Sequence, residues 1–124
     1  MADNPTQSPV LVVEDEPLIA LDIEDALAER GVPVKVARSI AEARALLGAL
    51  PPPAMVLLDV VLPDGRSFDL AREILAAGVP LVFLTGYDHG IPEEFNQVTV
   101  VQKPFSSTTL AALVAGQPEA PRGD

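Results

Sequence analysis

Five short, mostly apolar runs, Val10 to Val13, Val34 to Ala37, Met55 to Leu58, Leu81 to Leu84 and Val98 to Gln102, alternate with longer amphipathic stretches. This is the pattern of βαβ units, and it commits the chain to an α/β fold in which a parallel sheet is covered on both faces. The intervening segments carry helix punctuation of their own. Pro17 suits the first turn of a helix reaching to about Arg30, where Gly31 stops it, and Ile19, Ile23 and Leu27 share its buried stripe. Ser39 and Glu42 form a capping box ahead of a helix that turns Leu46, Leu47 and Leu50 inward, and Pro51-Pro52-Pro53 ends it. Ser67 reads as the cap of a third helix that uses Leu70, Ile74 and Leu75 and stops at Gly78 and Pro80. Ser106 or Ser107 opens a last short helix through Leu110, Leu113 and Val114.

The fourth crossover breaks the pattern. Gly86-Tyr87-Asp88-His89-Gly90-Ile91-Pro92 places two Gly and a Pro where a helix should begin, which predicts a loop. Glu93 to Gln97 could make one helical turn, but without a sustained apolar stripe. Residues 1–8 and 116–124 read as flexible tails around a single domain at 9–115, and 124 residues suffice for one real core.

Charge and composition remove several functions. Eight basic against eighteen acidic residues give a net charge of −10, which repels nucleic-acid phosphates and anionic lipid, so neither partner is expected. There is no Cys, hence no disulfide framework and no thiolate metal site. No apolar run approaches the roughly 18 residues that span a bilayer. Met1-Ala2-Asp3-Asn4-Pro5 also lacks the basic and apolar regions of a signal peptide, so a cytoplasmic protein is expected.

Four of the runs end in reactive side chains: Glu14-Asp15-Glu16 after the first, Asp59 after the third, Thr85 after the fourth and Lys103 after the fifth. Open α/β sheets bind ligands outside the carboxyl ends of their strands, where strand order reverses. If the first and third strands are adjacent at that point, three carboxylates converge and repel, and a cation is implied. Oxygen ligands without His or Cys suit Mg²⁺. A carboxylate nucleophile, Mg²⁺, a Lys and a hydroxyl are the parts of phosphoryl transfer, with an aspartyl phosphate on Asp59 as the expected product.

The set Glu14-Asp15, Asp59, Thr85 and Lys103-Pro104-Phe105 resembles the receiver domain of two-component response regulators over about residues 9–115. The resemblance implies a flavodoxin-like, doubly wound five-stranded sheet of order 2-1-3-4-5. It implies Asp59 as phosphoacceptor, with Glu14, Asp15, Asp59 and the Val61 carbonyl as Mg²⁺ ligands. Thr85 takes the place of the switch hydroxyl, Lys103 that of the salt-bridging lysine, and Pro104 follows a cis peptide bond. A histidine kinase or histidine phosphotransfer protein is the implied partner, docking near Leu18, Ile19, Pro104 and Phe105, and the chain is expected as a monomer or weak dimer. Such domains are regulatory, not enzymes in the usual sense, although they catalyse their own phosphorylation and dephosphorylation.

Val100 stands where the family usually has a Tyr or Phe switch. Phe83-Leu84-Thr85-Gly86-Tyr87 instead resembles the receiver subgroup with a Phe-Ala-Thr-Gly-Gly/Tyr motif, in which the fourth helix tends to be reduced. The resemblance therefore implies a short or absent fourth helix and a switch role for Tyr87. His89, the only histidine, is read as an exposed spacer. A stand-alone receiver is the leading reading, one that signals to a downstream target by protein contact or drains a kinase as a phosphate sink, and a receiver fragment of a longer protein stays open beside these. The alternative is an aspartyl-nucleophile phosphatase of haloacid-dehalogenase type, which needs a second Asp two residues after the nucleophile, where Val61 stands. A nucleotide-binding flavodoxin-like protein is less favoured still, since the chain has neither G-x-G-x-x-G nor a phosphate-binding Gly-rich first loop.

Overall fold

The computed structural model describes residues 8–86 and 90–116. Five parallel strands, β1 (Val10–Val13), β2 (Val34–Ala37), β3 (Met55–Asp59), β6 (Leu81–Thr85) and β7 (Thr99–Gln102), lie in the order β2-β1-β3-β6-β7. Counted along the chain, this is the flavodoxin-like order 2-1-3-4-5. Val10 pairs with Val34 on one side and Met55 on the other, Val56 with Leu81, and Val82 with Thr99. The central strands are buried throughout, which is why they carry no polar alternation. A separate antiparallel hairpin, β4 (Val61–Leu62) and β5 (Gly65–Arg66), follows β3.

Helices α1 (Pro17–Ala28) and α4 (Ser107–Gly116) cover one face, where Ile23, Leu27, Leu110, Ala111 and Val114 pack on Val10, Val12, Leu57, Val82 and Leu84. On the other face, α2 (Ile40–Ala49) and α3 (Phe68–Ala76) set Ile40, Ala43, Leu70, Ala71 and Ile74 against Leu11, Val13, Val56, Leu58 and Phe83. The first helix stops at Ala28, two residues short of the expected end, because the chain leaves it in a Schellman motif: Gly31 N–H donates to Ala28 C=O and Val32 N–H to Leu27 C=O. Gly31 has φ +76, a conformation open to glycine at no steric cost. Leu50 and Leu75, expected inward, are 41% and 40% exposed, since Ala43 and Ala71 hold the inner positions of these short helices.

Two capping expectations changed. Ser39 Oγ accepts from Glu42 N–H at 3.0 Å as expected, but Glu42 reaches back one residue further, to Arg38 N–H at 2.6 Å. The α2 N-terminus gains a second cap from the hairpin, whose Asp64 carboxylate accepts from the Ile40 and Ala41 amides at 2.9 and 3.0 Å. These bonds hold the Asp64 carboxyl below the usual aspartate value. Ser67 precedes α3 but makes no side-chain cap; its hydroxyl is committed elsewhere.

Between β6 and β7 the described residues contain only a single 3₁₀ turn, Glu93–Phe95, in place of a crossover helix. Phe95 anchors it. At 2% exposure this ring stacks on Phe68 (5.8 Å between centroids) and meets Phe83 edge-on at 5.2 Å. Arg72 of α3 lies 5.6 Å from the centre of the Phe95 ring while its Nε and Nη2 donate to both oxygens of Glu94, at 2.8 and 2.9 Å. One aromatic thus replaces the apolar stripe that a helix would have needed.

Candidate functional site

The carboxyl edge of the sheet collects the reactive side chains, and main-chain bonds fix their origins. Glu14 N–H extends the β1–β2 ladder to Ala37 C=O at 3.0 Å, Val60 N–H donates to Leu84 C=O at 3.0 Å, and Lys103 N–H donates to Thr85 C=O at 2.7 Å. The Lys103–Pro104 peptide is cis.

Lys103 Nζ donates to Asp59 Oδ2 at 2.9 Å and forms an ion pair with Glu14 Oε1 at 2.8 Å. Glu14 is fully buried and Asp59 nearly so. The other Glu14 oxygen accepts from Glu16 N–H at 3.1 Å, and Asp59 Oδ1 faces the Val61 amide at 3.4 Å. Oε1 of Glu14 has charge attraction from Lys103 but no aligned hydrogen bond. Burial pushes the Glu14 carboxyl up, and the nearby Asp59 charge adds to this, outweighing the opposing pull of Lys103 and the Glu16 amide. Burial also works against the Lys103 charge, yet its contacts with Glu14 and Asp59 prevail and raise its pKa.

Glu14, Asp15 and Asp59 each offer a carboxylate oxygen, all within 4.8 Å of one another. Three carboxylates against one ammonium leave the site with an excess of two negative charges when all are ionised. A buried acceptor without an aligned donor, an all-oxygen donor set and a twofold charge deficit fit a hard divalent cation. Thr85 is buried at the end of β6, opposite Gln102 in the strand register. Tyr87 and His89 lie outside the described residues.

Sequence reasoning missed Ser67. This fully buried hydroxyl donates to the Asp59 backbone carbonyl at 2.7 Å, with the Val60 carbonyl 3.4 Å away. A Ser just before a helix signals a local cap, and nothing in the sequence gives its alternative acceptor eight residues upstream.

Lys103→Met is expected to lower the stability of the metal-free protein by about 3 kcal/mol at neutral pH, because it leaves buried carboxylates without their counter-charge. Chemical denaturation should show the loss shrinking in acid as the carboxyl groups protonate. In the parent chain the raised Lys103 pKa contributes stability below 10.5, which is lost as pH rises through its folded value.

A parallel sheet of order 2-1-3-4-5 with an acid cluster and a lysine at its carboxyl edge defines a doubly wound α/β domain with its reactive side chains gathered at one edge. The family model described as response regulator receiver domain matches residues 10–115, and the chain belongs to that family. It is 33% identical over 115 residues to the phyllosphere-induced regulator PhyR of Methylorubrum extorquens, covering 86% of this chain and 42% of that protein. It is 30% identical to the transcriptional regulatory protein PdtaR of Mycobacterium tuberculosis, covering 91% of this chain and 52% of that one. The chain thus spans about half the length of these curated relatives. The solution structure of SdrG from Sphingomonas melonis Fr1 superposes with a TM-score of 0.73 at 35% identity, over 88% of this chain and 94% of that one. Nothing in these relatives favours a haloacid-dehalogenase phosphatase, whose second aspartate is replaced by Val61.

Proposed function

We propose that the chain accepts a phosphoryl group on Asp59 from the phosphohistidine of a histidine kinase or histidine phosphotransfer protein. The observation that supports this most is the meeting of Glu14, Asp15, Asp59 and Lys103 at one sheet edge. An Asp59 carboxylate oxygen forms the new O–P bond while the P–N bond to the donor imidazole breaks, its electron pair leaving with the nitrogen. Lys103, already within reach of Asp59, then pairs with a phosphoryl oxygen, and the Thr85 hydroxyl serves as the switch donor to another. In the separate autocatalytic dephosphorylation, a water oxygen forms a bond to phosphorus, the Asp59 O–P bond breaks with its electron pair returning to the carboxylate, and the water proton leaves with inorganic phosphate. Glu14, Asp15, Asp59 and the Val61 carbonyl would hold Mg²⁺, which neutralises phosphoryl charge when bound.

Docking of the donor falls to the face beside the site. Leu18 is 77% exposed there, and Ile19, Asp22, Lys103, Pro104, Phe105 and Ser107 line a cavity of about 110 Å³. The receiver unit is taken as 9–115, a monomer or weak dimer in the cytoplasm. No helix among the described residues is long and apolar enough to cross a membrane. Segment 86–97, with Tyr87, takes over the report of phosphorylation that an aromatic at position 100 would give. Output is by contact with a downstream target or by draining a shared kinase.

The test is incubation with Mg²⁺ and a small phosphodonor, read as an added phosphoryl mass. The expected result is one phosphoryl group per chain, absent in Asp59→Asn; equal labelling of both overturns the assignment. Cation binding is also expected to depend on pH. With its pKa raised above 4.5, Glu14 contributes stability as the acid below 4.5, and this is lost as pH rises through the folded value. A divalent ion needs the carboxylate, so calorimetric Mg²⁺ affinity should climb with pH across that window, and Glu14→Gln should flatten the rise.

A further inference from the structure

We infer that Ser67 is a positioning residue for phosphoryl uptake, an assignment that rests on the phosphoacceptor reading above. The residue sits at the N-cap of α3, where a serine oxygen ordinarily accepts from the amide two or three residues on and stabilises the helix by about 1 kcal/mol. Here that cap is forgone. The hydroxyl has one proton, and it goes to the nearer carbonyl, that of Asp59 at 2.7 Å, rather than to Val60 at 3.4 Å. The Ser67 amide donates to Val60 C=O at 3.0 Å, so one residue holds both carbonyls that follow the nucleophile's Cα. Its backbone, φ −92 and ψ 17, lies in the sparsely populated bridge region, and the side chain is sealed from water.

The consequence is geometric. Asp59 Oδ2 is held by Lys103 and Oδ1 faces the Val61 amide at 3.4 Å, but both contacts act on a side chain whose origin must itself be fixed. Ser67 fixes the 59–60 peptide plane, and with it the direction in which the Asp59 side chain leaves the strand. The same bonds tie the end of β3 to the start of α3, closing the 60–66 excursion that carries Val61. A nucleophile aimed by its main chain loses rate, not substrate affinity, when the aim is relaxed.

The experiment measures phosphoryl uptake against time by intact mass, at saturating Mg²⁺ and small phosphodonor, for the parent, Ser67→Ala, Ser67→Cys and Ser39→Ala. Ser39→Ala removes a genuine helix cap away from the site and controls for lost stability. Ser67→Ala is expected to lower the saturated rate constant about tenfold, with the half-saturating phosphodonor concentration unchanged. Ser67→Cys, a weaker donor of similar size, should fall between it and the parent, and Ser39→Ala should match the parent. A Ser67→Ala rate within twofold of the parent, or an equal slowing by Ser39→Ala, overturns the inference. Should Ser67→Ala fail to fold, a parental rate in Ser67→Cys overturns it. A parent chain that takes up no phosphoryl group sinks the phosphoacceptor reading instead, and this one with it.

Discussion

Asp59→Asn is expected to gain no phosphoryl mass under conditions in which the parent chain is fully labelled, and to remain folded while failing. The amide nitrogen's lone pair is delocalised and its oxygen carries no formal charge, so the nucleophile is gone although the shape is kept. Folding should be helped more than harmed, because the substitution removes a charge buried beside Glu14. Asp59 is among the causes that push the Glu14 carboxyl up, and Asn at this position should move the Glu14 titration back toward its ordinary range. Carbonyl-detected NMR titration can follow that, which makes the variant informative even where it is inactive. An unfolded Asp59→Asn, or one that still labels, would contradict the account.

Phe95→Ala should have the largest effect on stability. Truncating a buried Phe costs about 3–5 kcal/mol. For a domain of this size that is a fall in Tm on the order of 10–20 °C. The ring is the one deeply buried side chain of the 3₁₀ turn, and it touches Phe68, Phe83 and the Arg72 guanidinium at once. Glu94→Gln, by contrast, weakens only an exposed pair and should shift unfolding by less than about 1 kcal/mol. Thermal unfolding of the two variants side by side separates the aromatic anchor from the salt bridge above it. Similar losses in both would mean that the turn is held from outside.

The site was legible because its residues sit where apolar strands end, and a buried parallel sheet leaves its reactive groups only at that edge. Glu14, Asp15, Asp59 and Lys103 could therefore be grouped from the order of the runs. Contacts made across the chain were not legible. Asp64 caps a helix that begins 24 residues earlier, and Ser67 serves a carbonyl eight residues back; both follow strong local rules in sequence and obey distant ones in space. Phe95 escaped because a lone aromatic among polar neighbours carries no periodicity. Leu50 and Leu75 misled for the opposite reason, since periodicity continues to the ends of helices where the core does not.

The Asp64 bonds have one more consequence. The stretch from Asp59 to Ser67 must satisfy two anchor points at fixed length, the Asp59 carbonyl at one end and the start of α2 midway. A single-residue insertion or deletion there would free either α2 or Asp59. This makes an exposed loop beside the acid cluster intolerant of a change in length.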